Sequence, residues 1–348
     1  MKKTRILLAS VAAFSLFAAA CSDDSSDGSS TSGGTETTAG SETTAGGGEP
    51  VTSDTVDVTE GEDVTIAVIT HGDGGVFWSV AQKGAEQAGA DLGITVQYEG
   101  GNNDGAAQAK LIDDAVAAGV DGIAVSLADP GALEASVKAA VAAGIPVVTM
   151  NSGSDLFKEL GAITHVGQDE TVAGNGAGEK FKAEGKTKLL CVMQEQSNVG
   201  LEARCDGAEE TFGGEVVKIN TSGDADPTTS QSEIKAALDA DPDIDAIFAT
   251  GPIGAVLAKD AAAELGRDVM IGAVDLSTDL LDAIEAGDIA FTIDQQQYLQ
   301  GYLSVVFLYL NVTNQNTVGG GLPVYTGPGF VTADNVAAVK ELVAAGTR

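Results

Sequence analysis

Residues 64–93, VTIAVITHGDGGVFWSVAQKGAEQAGADLG, contain the pattern that decides the fold. The uninterrupted apolar run at 64–70 is typical of a β-strand that is covered on both faces. A helical stretch at 77–92 follows, and Gly93 is a typical helix stop. Strand, helix and glycine stop in this order indicate one βαβ unit of a parallel sheet.

The same unit recurs along the rest of the chain. We predict further strands of a first series at 94–99, 121–127, 145–150 and 162–166. The pattern restarts at Lys186, with strands predicted at 187–193, 215–220, 245–249, 269–274 and 289–293. The alternative fold, a single eight-stranded barrel, would give one uniform series without the break at 167–186. The sequence therefore predicts an α/β protein with two doubly wound, parallel-sheet domains.

Composition excludes several classes of partner. The chain has 348 residues and is 43% hydrophobic, which suffices for more than one packed core. Its 51 acidic and 18 basic side chains give a formal net charge of −33. This charge argues against nucleic acid as a partner and against docking on an anionic membrane surface. The chain has only two histidines, and no glycine motif keeps nucleotide-binding spacing, so we expect no metal and no cofactor.

The N-terminus has the features of an export signal. Basic residues precede an apolar stretch at 6–20, which is too short to cross a bilayer comfortably, and small residues then lead to Cys21. This resembles a bacterial lipoprotein signal, so we predict a signal peptide at 1–21 that ends at a lipidated Cys21. An ordinary signal peptide is the alternative, and either one exports the chain. Residues 22–63 contain no Lys or Arg and few apolar residues, which predicts a disordered acidic Ser/Thr/Gly tether.

Export also bears on the other two cysteines. Cys191 lies on a predicted strand and Cys205 on the helix after it. A disulfide between them is expected in an oxidising compartment and would contribute about 3 kcal/mol on the loop-entropy model. Two buried free thiols are the alternative.

Polar and aromatic side chains follow the predicted strands. In open parallel sheets the ligand crevice lies beyond the carboxyl ends of the strands, so these side chains should gather at one edge. Gln194 and Glu195 are among them. The candidate ligand-binding residues are His71, Asp73, Phe77, Trp78, Asp129, Asn151, Gln168, Asn198, Arg204, Asp275 and Gln295.

This set of side chains suits a neutral, polyhydroxylated ligand. Carboxylate, amide and guanidinium groups can each make paired hydrogen bonds to neighbouring hydroxyls. An aromatic ring can lie against the apolar face of a sugar. An anionic ligand would need more positive charge than Arg204 supplies.

Each candidate also has a purely structural interpretation. Phe77 and Trp78 could pack in the core, and His71 could be a hydrogen-bonded residue at a strand end. A helix cap or a turn is the alternative for Asp73, Asp129, Asn151, Asn198 and Asp275. Arg204 could form a surface ion pair with Glu202 or Glu209, and Gln168 and Gln295 could contact the hinge backbone.

Seven stretches of the chain occur in a characteristic order and spacing. They are VITHGDGGVFWSVAQKGA, DGIAVS, GIPVVTMNSG, HVGQDETVAG, NVGLEARCDG, IGAVDLS and FTIDQQQYLQGYL. Through them, most of residues 64–348 resembles the periplasmic sugar-binding proteins of ABC transporters, in the ribose- and galactose-binding group.

The resemblance implies two lobes joined by three hinge strands, which close on a monosaccharide. The N-terminal lobe would comprise 64–167 and 296–324, and the C-terminal lobe 168–295 and 325–348, with hinges near 167–168, 294–295 and 323–327. The family pattern assigns ligand contacts to Phe77, Trp78, Asn151, Arg204, Asp275 and Gln295. Gly75, Gly251 and Pro252 stand where the family often has polar side chains, so the resemblance does not specify which sugar is bound.

We therefore predict a monomeric, non-catalytic binding protein that delivers a neutral sugar or polyol to the permease subunits of an ABC transporter. A lipid on Cys21 would be its one attachment to the outer face of the cytoplasmic membrane. The alternatives are a secreted α/β carbohydrate-active enzyme, such as a glycoside hydrolase with a carboxylate pair, and a receptor for a furanosyl signal. A transcription repressor would need a basic helix-turn-helix where this chain has a signal and an acidic segment.

Overall fold

The computed structural model describes residues 63–72 and 74–348. The predicted signal peptide with Cys21, nearly all of the predicted tether, and Asp73 lie outside these residues. In the part of the chain that is described, no helix combines the length and apolarity needed to cross a membrane.

The described residues alternate between strands and helices along most of their length. The strands are β1 (Thr65–Thr70), β2 (Thr95–Gly100), β3 (Gly122–Ser126), β4 (Val147–Asn151), β5 (Thr164–Gly167), β6 (Lys188–Met193), β7 (Glu215–Asn220), β8 (Ala246–Ala249), β9 (Met270–Val274), β10 (Phe291–Asp294), β11 (Val324–Tyr325) and β12 (Gly329–Val331). The α-helices are α1 (Gly75–Leu92), α2 (Gly105–Ala118), α3 (Pro130–Ala142), α4 (Glu170–Ala183), α5 (Val199–Phe212), α6 (Pro227–Ala240), α7 (Pro252–Glu264), α8 (Thr278–Ala286), α9 (Gln297–Asn314) and α10 (Val336–Ala344).

The strands form two six-stranded sheets of matching order. The first sheet runs β11-β5-β4-β3-β1-β2 and the second β12-β10-β9-β8-β6-β7. Neighbouring strands are parallel, as in β1 and β3, where Ile66 lies opposite Gly122. The prediction of two doubly wound lobes is confirmed and the barrel alternative is wrong. One detail differs, because β12 is antiparallel to β10.

We call the first sheet with α1, α2, α3 and α9 the N-terminal lobe, and the second sheet with α4–α8 and α10 the C-terminal lobe. In the N-terminal lobe α1 and α9 pack against each other on one face of the sheet, and α2 and α3 cover the other. In the C-terminal lobe α4 packs against α5 on one face, and α6, α7, α8 and α10 cover the other. Each sheet is therefore buried on both faces, as its apolar runs require.

The chain passes between the lobes three times. It leaves β5 of the first sheet for α4 of the second lobe, returns from β10 to α9, and crosses again between β11 and β12. The connecting residues are 168–169, 295–296 and 326–328. Three short connections between rigid sheets are the arrangement that permits hinge motion.

Helix α5 is held against its surroundings in two ways. Cys205 on α5 forms a disulfide with Cys191 on β6, and both residues are fully buried. On its other side α5 packs backbone against backbone with α4, since a Cβ at Gly174 would lie 2.1 Å from the carbonyl oxygen of Arg204. A Cβ at Gly207 would likewise lie 2.3 Å from the carbonyl oxygen of Thr171. Side chains that start on α4 and α5 therefore have closely defined positions relative to each other.

Candidate functional site

A cavity of about 530 Å³ lies where the carboxyl ends of the two sheets face each other. Both lobes line it. Most of the predicted ligand-binding residues are on its wall, namely His71, Phe77, Trp78, Asn151, Asn198, Arg204, Asp275 and Gln295. Because parallel strands end at a common edge, residues far apart in sequence meet here.

Aromatic side chains form one wall of the cavity. The rings of Phe77 and Trp78 meet edge to face, with centroids 4.8 Å apart, and His71 meets Trp78 in the same way at 4.7 Å. Trp78 also packs in the apolar layer between the first sheet and α1. Trp78 therefore belongs to the apolar core and also lines the cavity.

A chain of hydrogen-bonded polar groups connects the two lobes. Asn151 belongs to the N-terminal lobe, Gln295 to the connection between β10 and α9, and Asp275 to the C-terminal lobe. The Asn151 amide donates to Gln295 Oε1 at 3.3 Å, and Gln295 Nε2 donates to Asp275 Oδ1 at 2.6 Å. Asn151 and Asp275 both adopt left-handed backbone conformations, with φ of 61° and 70°, which Asn and Asp tolerate better than most residues. Each therefore fills the turn role as well as lining the cavity.

His71 joins the two lobes at the cavity wall. Its Nδ1 lies 2.8 Å from Ser126 Oγ, and its Nε2 lies 3.6 Å from Glu195 Oε2 of the opposite lobe. Burial lowers the pKa of His71, and this outweighs the opposing effect of the Glu195 carboxylate. The ring is therefore neutral at pH 7 and can both donate and accept.

Arg204 is buried, contrary to the alternative of a solvated ion pair with Glu202 or Glu209. Its partner is Glu170, whose carboxylate accepts from Nε at 2.5 Å and from Nη2 at 3.1 Å. Burial acts to lower the pKa of Arg204, but the facing Glu170 carboxylate more than offsets this and the pKa is raised. Arg204 is therefore permanently charged, and its charge is balanced inside the protein.

Asn198 combines a structural contact with a position on the cavity wall. Its Oδ1 accepts from Gly200 N at 3.0 Å and so caps α5, while its Nδ2 donates to Glu195 Oε2 at 2.6 Å. The cap holds the amide at the start of the helix that carries Arg204.

The remaining predicted ligand residues lie elsewhere. Asp129 caps α3 by accepting from Ala132 N at 3.1 Å, and it lines a smaller adjoining cavity of about 230 Å³. Gln168 is fully buried, does not line the main cavity, and donates to Glu170 at 2.8 Å. Asp73 lies outside the described residues.

Polar residues that were not among the predicted ligand residues also line the cavity. One is Ser277, which caps α8 by accepting from Leu280 N at 3.2 Å, and two others follow edge strands. Asn103 follows the edge strand β2, and Asp224 follows the edge strand β7. Burial, with a further contribution from Glu195, raises the pKa of Asp224 to about 6. The strand-end rule, applied to edge strands as well as to central ones, would have found Asn103 and Asp224. Within residues 63–72 and 74–348, no group of three or more His, Cys, Asp or Glu is placed to hold a metal ion.

The buried Asp275 carboxyl makes a testable contribution to stability. Burial raises its pKa to about 7, although Arg204 and the Gln295 amide oppose the change. Between about pH 4 and pH 7 the folded protein therefore holds a proton that the unfolded chain has lost, so stability falls as pH rises through this window. The decrease in the free energy of unfolding should amount to roughly 1.4 kcal/mol for each unit by which the folded-state pKa exceeds the unfolded-state pKa. Asp275→Asn has no carboxyl at this position and should lack this decrease. Urea unfolding of the ligand-free protein at several pH values measures it.

The exposed Asp288→Asn is the control for this experiment and should follow the wild-type pH dependence. If Asp275→Asn and the wild type lose stability in parallel between about pH 4 and pH 7, the carboxyl does not titrate as the burial of Asp275 requires.

Comparison with known proteins finds matches that extend over most of the chain. A family model described as a periplasmic binding protein domain matches residues 66–316. The solved structure of a carbohydrate transporter protein from Acidothermus cellulolyticus, in complex with myo-inositol, is similar with a TM-score of 0.79 and 45% identity. That match covers 82% of this chain and 100% of the other.

Sequence relatives point the same way. The xylose/arabinose-binding protein XylF of Sulfolobus acidocaldarius is 25% identical over 288 residues, which is 78% of this chain and 71% of the relative. The ribose import binding protein RbsB of Bacillus subtilis is 26% identical over 232 residues, which is 66% of this chain and 75% of the relative.

Proposed function

We propose, because the chain belongs to the periplasmic binding protein family, that its cavity captures a neutral polyol, with myo-inositol as the first candidate. The observation that carries this proposal is the convergence of polar groups from both lobes on one cavity with an aromatic wall. The relatives described above are named as binding or transport proteins for carbohydrates, which supports a binding role without catalysis, and membership in the family implies an extracytoplasmic location.

The size and chemistry of the cavity support a small hydroxylated ring. Its volume of about 530 Å³ falls in the range of roughly 300–1,000 Å³ that is typical of small-molecule sites. Carboxylate, amide and imidazole groups offer both donors and acceptors, which is what a ring of hydroxyls requires. Phe77 and Trp78, which line the cavity, supply apolar surface for the C–H bonds of the same ring.

Charge supports an uncharged ligand over an anion. Among the described residues that line the cavity, Arg204 is the one Lys or Arg, and Glu170 already balances its charge. Glu195, Asp224 and Asp275 add carboxyl groups to the wall. A phosphorylated or carboxylated ligand would meet these groups without a free cation to compensate.

Contacts between the lobes support a closing mechanism. Besides the His71–Glu195 approach, Ser152 Oγ donates to Asn198 Oδ1 at 3.4 Å, and Val199 N donates to the carbonyl of Ala128 at 3.1 Å. These contacts are few and polar, so they favour closure only weakly by themselves. A ligand that touches both lobes adds contacts which exist in the closed form alone, and it thereby shifts the population towards closure.

A ligand panel tests the proposal. Binding of myo-inositol at a large excess over Kd should raise the melting temperature by about 5 °C or more, through mass action. It should also change the emission of Trp78, the one tryptophan in the chain, because that ring is part of the cavity wall. The panel comprises myo-inositol, D-ribose, D-arabinose, D-xylose and D-galactose, read by differential scanning fluorimetry and by tryptophan emission.

myo-Inositol 1-phosphate is the matched control ligand, and the carboxyl groups of the cavity should prevent it from binding. The proposal fails if no sugar or polyol raises the melting temperature. It also fails if nitrophenyl glycosides are cleaved, because that result supports a secreted glycosidase.

We further propose that the exported chain is anchored through Cys21, acts as a monomer and delivers its ligand to ABC permease subunits. The basic start, the apolar stretch and the small residues before Cys21 support the anchor. In a bacterial host, Cys21→Ser should abolish incorporation of labelled palmitate and release the protein from the membrane fraction. Equal labelling of Cys21→Ser and the unaltered protein would exclude Cys21 as the lipid site.

A further inference from the structure

Glu170 is a buried acidic residue that the ligand cavity does not include. It is the first residue of α4 and follows directly on the first crossing between the lobes. Its side chain is only 6% exposed, and it does not line the main cavity. Burying a carboxylate is costly unless it is paired and hydrogen-bonded, so its role has to be sought in its partners.

The partners of Glu170 are a cavity residue and a hinge residue. It accepts two hydrogen bonds from Arg204, through Nε at 2.5 Å and Nη2 at 3.1 Å, and a third from Gln168 Nε2 at 2.8 Å. Arg204 Nη1 donates to the carbonyl of Thr250 at 2.8 Å. A guanidinium has five N–H donors, so one N–H on Nη1 and one on Nη2 remain for a ligand.

We propose that Glu170 is a positioning residue, which fixes the Arg204 guanidinium so that its two remaining N–H groups reach a hydroxyl of the ligand, and which links this orientation to the hinge through Gln168. The inference rests on the proposed function of the cavity as a polyol site. Glu170 would thus influence which ligand is bound although it does not itself contact the ligand.

The surroundings of Arg204 explain why its orientation needs to be fixed. Asp275 and Glu195 both line the cavity, and both carboxyl groups attract the Arg204 charge. Without Glu170 the guanidinium would turn towards these groups. Arg204 would then lose its free N–H groups, and the cavity carboxyls would lose their capacity to accept from ligand hydroxyls.

The backbone provides the link to the hinge. Gln168 is fully buried in the first crossing, directly after β5, and its amide donates to the same carboxylate oxygen that Arg204 Nε contacts. Rotation of the backbone between 167 and 169 moves this amide relative to α4. The close packing of α4 on α5 meanwhile keeps Glu170 and Arg204 at a fixed separation. Hinge position and guanidinium orientation are therefore connected through one carboxylate.

Isothermal titration of the full-length protein with myo-inositol and its monodeoxy analogues tests the inference. The wild type should bind most weakly the analogue that lacks the hydroxyl contacted by Arg204. In Glu170→Gln the Kd for myo-inositol should rise about tenfold to a hundredfold, and the discrimination against that one analogue should disappear. The control is Glu179→Gln, an exposed substitution on the same helix, which should leave affinity and discrimination unchanged.

A purely structural role for Glu170 would weaken all the ligands by the same factor and leave the discrimination intact, and that result would overturn the inference. If Glu170→Gln does not fold, as judged by circular dichroism, Glu170→Asp takes its place. The shorter aspartate side chain keeps the charge but cannot accept from both Nε and Nη2 of Arg204. Loss of the discrimination between myo-inositol and the deoxy analogue in Glu170→Asp supports the inference, and full discrimination overturns it. A wild type that binds none of these compounds would instead refute the proposed function.

Discussion

Desolvation of polar groups at the facing sheet edges is the constraint on which the rest of the structure depends. Its effects are visible in several side chains, since burial raises the pKa of Asp275 to about 7 and that of Asp224 to about 6. Burial also lowers the pKa of His71. Loss of water on burial is the largest cause of each of these shifts. A ring of hydroxyls can replace the lost water on several of them at once, which is the physical reason for proposing a polyol.

The scaffold around the cavity is built to resist rearrangement. A disulfide ties α5 to β6, and glycines bring α4 into backbone contact with α5. Arg204 therefore enters the cavity from a helix that is held on two sides, and Glu170 fixes its guanidinium. By contrast, the lobes touch through a small number of polar contacts, and the chain crosses between them in three short segments. Rigid lobes joined by a weak interface allow ligand contacts to control closure.

The sequence was sufficient to predict the central features of this arrangement, because the period of the apolar runs and the strand-end rule are local signals. They led to Asn151, Asp275 and Gln295, each at the end of a buried strand. Tertiary pairing was not accessible in this way. Glu170 and Arg204 are 34 positions apart and on different helices, so no local spacing relates them. The antiparallel β12 has three residues, too few for an apolar period to show its direction.

Some residues satisfied a local rule without reaching the cavity. Asp129 follows a predicted strand, but it precedes a proline and caps a helix, a role that Asp fills widely. Gln168 follows β5, but its backbone is part of the crossing and its amide faces α4. Asn103 and Asp224 were missed for the opposite reason, because the rule was applied to central strands only.

The most direct test of the account is a crystal structure of the protein in crystals grown with myo-inositol. The account predicts one ring between the lobes, with its C–H face against Trp78 and its hydroxyls within hydrogen-bond distance of Arg204, Asp275 and Asn151. Density for the ring at any other site, or a ring held by one lobe alone while the cavity contains only solvent, would contradict it.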